Sequence, residues 1–224
     1  MQRDIDINEI SDGNRYRNSD MVKLGCNECE GCSSCCHDMG NSIILDPYDI
    51  YELTTHMGKR FEELLTDSLD LNVADRIILP NIRMQAATNG CIFLNNVGRC
   101  TIHAHRPGFC RLFPLGRIYE DGGFTYFNQI HECPYPNRTK VKIKKWLDIP
   151  ALSIYEKYIL DWHDFLKDIA NKMDDAPDVD TEKQISMLVL TTFFVNPYDK
   201  EISFYDQYYM RREIIDSSIK DIIQ

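Results

Sequence analysis

The tightest constraint in this chain is the stretch CNECEGCSSCC, residues 26 to 36, which gathers five of the nine cysteines into eleven residues. Cys26, Cys29, Cys32 and Cys35 step by three, and Cys36 follows at once. Gaps of two residues let successive thiolates turn toward one ion or one cluster. Sulfur is polarisable and sheds its proton on coordination, so it suits soft metals and iron–sulfide chemistry. Adjacent cysteines such as Cys35 and Cys36 rarely point the same way, so they suit two sites, or one ligand and one reserve thiol. Gly31 leaves room for backbone to approach sulfur in a tight ligand loop.

Disulfides are a poor alternative. The N-terminal stretch MQRDIDINEISDGNRYRNSD is polar and has no apolar signal core, and no run of about 18 apolar residues exists to cross a membrane. The chain therefore reads as cytoplasmic, with no membrane partner. Thiols stay reduced in that compartment, and an odd cysteine count does not pair off. The formal net charge of −10 disfavours nucleic acid. The one basic run, KVKIKK at 140 to 145, reads as a solvated helix face.

The expected fold class is α+β: a small irregular cysteine-rich metal-binding core with short β-hairpins, followed by a helical C-terminal half. Residues 1–25 read as a weakly ordered lead-in, 26–137 as the cysteine-cluster domain, and 138–224 as a helical region packed on it. Asp46, Pro47 and Asp49 predict a helix start, Ile50, Leu53 and Met57 its apolar face, and Gly58 its end. KRFEELLTDSL predicts a second short helix. CIFL and RCTIH around NNVG predict one hairpin, and PLGRIYE and FTYFNQI around DGG another. Ile154, Tyr158, Ile159, Trp162, Leu166 and Ile169 recur at helical spacing. DDAPDVD breaks that helix, and Thr181 with Gln184 has capping-box spacing before ISMLVLTTFFV. EISFYDQYYMRREIIDSSIKDII predicts a last helix or helix pair.

Cys29, Cys32 and Cys35 reproduce the C-x2-C-x2-C run of bacterial ferredoxins, although Met39 stands where the next cysteine usually falls. Cys133 is followed by Pro134, as the fourth ferredoxin ligand often is. Zinc also uses C-x2-C pairs and staples loop-rich regions, so both metals stay open on spacing alone. Pro107 and Pro114 bracket the loop around Cys110. Arg106 and Arg111 in that loop bring positive charge toward a thiolate-rich centre, and a guanidinium donates to sulfur or to nearby carbonyls.

In order and spacing, CEGCSSCC, IILDPYDIYEL, CIFLNNVGRCTIHAHRPGFCRLFPLG and a final CP resemble the YkgJ-type cysteine-cluster family. That family is described as zinc- or iron-chelating, or as iron–sulfur-cluster-containing. The likeness covers about residues 29 to 134. It implies Cys29, Cys32, Cys35, Cys36, Cys91, Cys100, Cys110 and Cys133 as metal ligands, enough for two four-thiolate sites. Cys26 falls outside the pattern and is expected to be accessory, although the step of three equally suits a Cys26–Cys29 pair. His37 is a further ligand candidate. His103 stands where the family usually carries Tyr and reads rather as a surface histidine at a helix start.

From these residues we expect a metal-binding protein with an iron–sulfur cofactor serving a redox or electron-transfer role, and an unidentified protein or redox partner. The alternatives are a zinc-stapled binding protein and, because the family is similar to flagellin lysine-N-methylase, a protein-modifying enzyme. No G-x-G-x-x-G, no P-loop and no methyl-donor pattern is present, so catalytic residues stay unassigned.

Overall fold

The computed structural model describes residues 6–26, 32–120, 122–174 and 178–223. In chain order the elements are α1 (Ile7–Ile10), β1 (Met21–Gly25), α2 (Pro47–Met57), α3 (Phe61–Asp67), β2 (Leu69–Ala74), β3 (Ile77–Ile82), α4 (Gly108–Leu112), β4 (Leu115–Glu120), β5 (Gly123–Asn128), β6 (Thr139–Lys142), α5 (Ile143–Leu147), α6 (Leu152–Asp174), α7 (Val179–Leu190) and α8 (Phe204–Ile223). Single 3-10 turns cover Ser34–Cys36 and His103–His105. The fold is mixed as expected: small antiparallel strand pairs accompany the cysteines, and long helices fill the C-terminal half.

Contacts divide the chain into two compact units that interleave in sequence. One holds residues 1–40 and 84–160, the other 41–83 and 161–224. In the first, β1 pairs antiparallel with β6 and β4 with β5. The β4–β5 hairpin forms as DGG predicts, with Leu115 opposite Asn128 and Glu120 opposite Gly123. The segment before β1, read from sequence as a lead-in, is tied down: Tyr16 and Tyr126 exchange backbone hydrogen bonds, and Asp12 N–H donates to the Asn128 carbonyl. Leu24, Ile143, Leu147, Tyr126, Tyr155 and Tyr158 form the buried interior of this unit.

Two local expectations change here. The NNVG segment makes one bridge, Leu94 to Cys100, rather than a hairpin of two strands. Asn95 Oδ1 takes the N–H groups of Val97 and Arg99, so a side chain supplies the acceptor that a ladder would have offered. KVKIKK is half strand: Lys140 and Lys142 stay exposed on β6, and only residues from Ile143 are helical. The alternation of Val141 and Ile143 with lysine is what a one-sided strand shows.

In the second unit, α2 begins as the sequence predicts. Asp46 accepts from Asp49 N–H while Asp49 accepts from Asp46 N–H, a reciprocal capping box with Pro47 at the first helical position. Gly58 ends the helix in the left-handed region, at φ 64°. β2 and β3 form a hairpin that turn chemistry did not announce: Asp75 and Arg76 both take positive φ, 49° and 67°, without a glycine. At α7 the cap is Asp178, which accepts from Thr181 N–H, rather than Thr181 itself. The apolar run after α7 continues as a π-helical turn, Thr191–Val195.

Candidate metal centre

Backbone pairing sets the thiols of the first unit. The 3-10 turn Ser34–Cys36 lies against the segment leading to Cys91: the Cys36 carbonyl accepts from Cys91 N–H at 2.7 Å, and Asp38 N–H donates to Asn89 at 2.9 Å. Cys91 then bridges Met84, and Cys100 bridges Leu94. The N-terminal run and two cysteines more than fifty residues later are thus joined by main-chain bonds.

Two neighbourhoods of thiols result. In one, Cys35 is hydrogen-bonded to Cys36, and Cys35, Cys91 and Cys100 stand close enough for their charges to act on one another. In the other, Cys133 feels both Cys26 and Cys32. Cys32 also acts on Cys35, so the neighbourhoods adjoin. Among the described residues, no three His, Cys, Asp or Glu side chains close into a site for a single metal ion. Cys29 lies outside the described residues. Cys110 sits half-buried in the middle of α4.

Four of the thiols, Cys35, Cys91, Cys100 and Cys133, are pushed toward their neutral form by crowding and burial. The hydrogen bond that the Cys35 thiol donates to Cys36 is the first cause that pushes Cys35 far above the usual thiol range, with burial and the charges of Cys36 and Cys32 adding to it. Burial raises Cys91 to about 11, with Cys100 and Cys35 adding to the push. Burial also raises Cys100 and Cys133. Against these stand groups that favour the thiolate. A backbone N–H two residues ahead interacts with each of three sulfurs: Phe93 with Cys91, Ile102 with Cys100, Tyr135 with Cys133.

Each neighbourhood also has an arginine. Arg106 draws the Cys100 thiol down and Arg138 the Cys133 thiol. Arg106 Nε and Arg138 Nη1 are both buried without a hydrogen-bond partner. Buried, unpartnered cationic N–H groups beside repeated N–H···S contacts are the donors an anionic sulfur centre requires. The residues present therefore fit a thiolate-bound metal or cluster, whose positive charge would relieve the mutual repulsion of the thiolates.

The other candidates fall as follows. Arg111 is 8% exposed and spends its guanidinium on main-chain carbonyls: Nε on Arg106 at 3.0 Å, Nη1 on Leu147 and Asp148, Nη2 on Ala104. It braces the loop that follows Cys100 and donates to carbonyls, one of the two uses expected of it. His103 opens the 3-10 turn and contacts Arg106 Nη1 through Nε2. His37 bridges Gly90 through its backbone, and its Nε2 meets Ser33 Oγ at 3.3 Å. Arg138 was missed in the sequence. Its signal was there: a basic residue five positions after Cys133, just ahead of the KVKIKK run.

Comparison with known proteins bears on the same region. Residues 28–139, half of the chain, match the model of a family described as "CxxCxxCC: Putative zinc- or iron-chelating domain". No curated protein and no solved structure matches.

Proposed function

The chain belongs to this CxxCxxCC family, and from that premise we propose that its thiolates hold an iron–sulfur centre serving electron transfer or another redox step. The observation that carries the reading is the spread of the sulfurs. They are gathered and backed by N–H donors, yet among the described residues no three meet at the scale of one ion. A polynuclear cluster distributes its thiolates over several irons, farther apart than four ligands on one tetrahedral zinc. The ligands are Cys29, Cys32, Cys35, Cys36, Cys91, Cys100, Cys110 and Cys133. Arg106 donates toward the sulfur, and Arg111 fixes the loop. A bound cluster would supply a one-electron couple, and the reading entails a redox partner of protein nature.

Zinc is the second reading, favoured by the irregular surroundings. Within the cysteine unit the described ladders are two-stranded, and a staple would hold such a region together. Anaerobic purification decides between them. Iron with acid-labile sulfide and broad absorbance near about 400 nm supports the cluster. A colourless protein with tightly bound zinc overturns it in favour of the staple.

A further inference from the structure

A cavity of about 320 Å³ lies within the unit of residues 41–83 and 161–224, which contains no cysteine. That volume falls at the lower end of small-molecule sites, which run from about 300 to 1,000 Å³. Its walls are α2, the turn into α3, and the chain from the end of the π-helical turn to Lys200. Ile50, Phe61 and Phe194, all buried, make its apolar side, and the two rings stand 6.2 Å apart between centroids. The wall after the π-helical turn is braced. Arg211 stacks on the Tyr198 ring at 3.7 Å and donates to the carbonyls of Thr192, Asn196 and Pro197. The Tyr198 hydroxyl donates to the Phe193 carbonyl at 3.0 Å. A wall so tied keeps the space open, and π-helical turns are frequent at functional sites.

We propose that this cavity binds a small organic monocarboxylate with an apolar body, its carboxylate held by Arg60 and Lys200. The site is independent of the metal-binding reading. Charge identifies the ligand. The chain has a formal net charge of −10, yet the rim carries Lys59, Arg60 and Lys200 against Glu62 alone. Asp67 already engages Lys59. Arg60 keeps its guanidinium: its side chain is 77% exposed, and Glu63, 3.9 Å from its Nε, spends Oε2 on the Arg60 main-chain N–H. Lys200 is exposed as well. A guanidinium takes a carboxylate through paired N–H bonds. Glu62 opposes a second negative charge on the ligand, so a monoanion fits better than a dianion. Ile50, Phe61 and Phe194 take the apolar body, as in a concave site with few polar groups. A solvated dent between helices accounts for the space, but not for a cationic rim over aromatic rings in an acidic chain.

The test titrates the full-length protein, purified anaerobically, with benzoate and with benzyl alcohol, a neutral probe of similar shape, and follows backbone amide shifts by NMR. Benzoate is expected to saturate, with its shifts centred on residues 54–62 and 194–200, and to weaken as salt is added. Benzyl alcohol should bind about tenfold more weakly, the worth of one charge-assisted hydrogen bond. The double variant Arg60→Ala, Lys200→Ala changes only exposed side chains, so its fold should persist. It should lose about tenfold for benzoate and nothing for benzyl alcohol. Val195→Trp, which fills the cavity from the π-helical turn, should abolish both. If that variant does not fold, Thr55→Trp fills the space from α2 instead. Equal affinity for the two probes overturns the proposal, as does benzoate binding that the double variant leaves unchanged. So does a wild type whose shifts do not saturate or centre elsewhere, or a filled cavity that still binds.

Discussion

In the unit of residues 41–83 and 161–223, Trp162 meets Phe193 at 5.2 Å, Phe165 at 5.4 Å, Phe194 at 6.1 Å and Tyr208 at 6.4 Å between ring centroids. Phe204 extends the array to Tyr48, Tyr51 and Tyr198. In the other unit, residues 33–40 and 84–110 are held by single bridges, turn hydrogen bonds and one arginine, Arg111, on four carbonyls. The contrast shows two ways of repaying chain entropy. Rings bury large apolar area and need no cofactor. A loop-rich region with little regular structure needs cross-links, and reduced thiols supply them only through a metal.

The sharpest way to break the comparison is to remove the metal. Ligand sites of this kind do not exist in the unfolded chain, so binding energy on the order of 10 kcal/mol is folding energy. Chelation is expected to abolish hydrogen-exchange protection across residues 32–40 and 84–139, while α7 and α8 keep theirs. Equal loss in both units, or none in either, would erase the distinction. Next in size is Phe193→Ala, which cuts the ring array at its centre. It should cost about 3–5 kcal/mol and leave metal content unchanged, read by denaturant unfolding beside elemental analysis.

Arg111→Ala strikes the cysteine unit without touching sulfur. It strands the carbonyls of Ala104, Arg106, Leu147 and Asp148, at about 2 kcal/mol. Lysine should rescue little, because it lacks the fork that reaches several carbonyls. Titration gives a smaller effect per group, and one peculiar to this unit. Each raised thiol must lose its proton to bind metal, so affinity should climb with pH by about 1.4 kcal/mol per thiol and pH unit below its pKa. Without metal the sign reverses. A thiol raised on folding, such as Cys91 at about 11, stabilises the apo-protein fully below the ordinary thiol value of 9.0 and ceases to do so as pH rises through 11. Metal titrations and thermal melts at stepped pH check both directions. Smallest is Asp46→Ala, the loss of the α2 cap, at about 1 kcal/mol in chemical denaturation, with the thiol region unaffected.

How much of this was legible depended on whether a signal is local. The α2 boundaries were readable because Asp46, Pro47, Asp49 and Gly58 each act within a turn of the helix end. The DGG hairpin was readable for the same reason. The β2–β3 turn was not, because Asp75-Arg76 takes a conformation that sequence rules reserve for Asn-Gly or Asp-Gly. Pairing of β1 with β6 was beyond reach: its partners are more than a hundred residues apart, and β6 sits in a lysine-rich run that reads as a helix face. The cysteines announced metal chemistry by number and step. Their division into neighbourhoods could not be read, because it follows from that long-range register and from the bridge between His37 and Gly90.

The register of Met21 with Lys142 also sets an order of events during synthesis. The cysteine run leaves the ribosome early, yet the strand that seats it cannot form until β6 has emerged. At about 5–20 residues per second, that interval is on the order of 10 s. Throughout it the nascent thiols have neither their ladder nor Cys133. The same delay holds Arg111, two of whose acceptors, Leu147 and Asp148, are translated later still. Loading with metal is therefore a late event in the life of the nascent chain, and oxidants or the wrong ion have their best access before residue 142 is made.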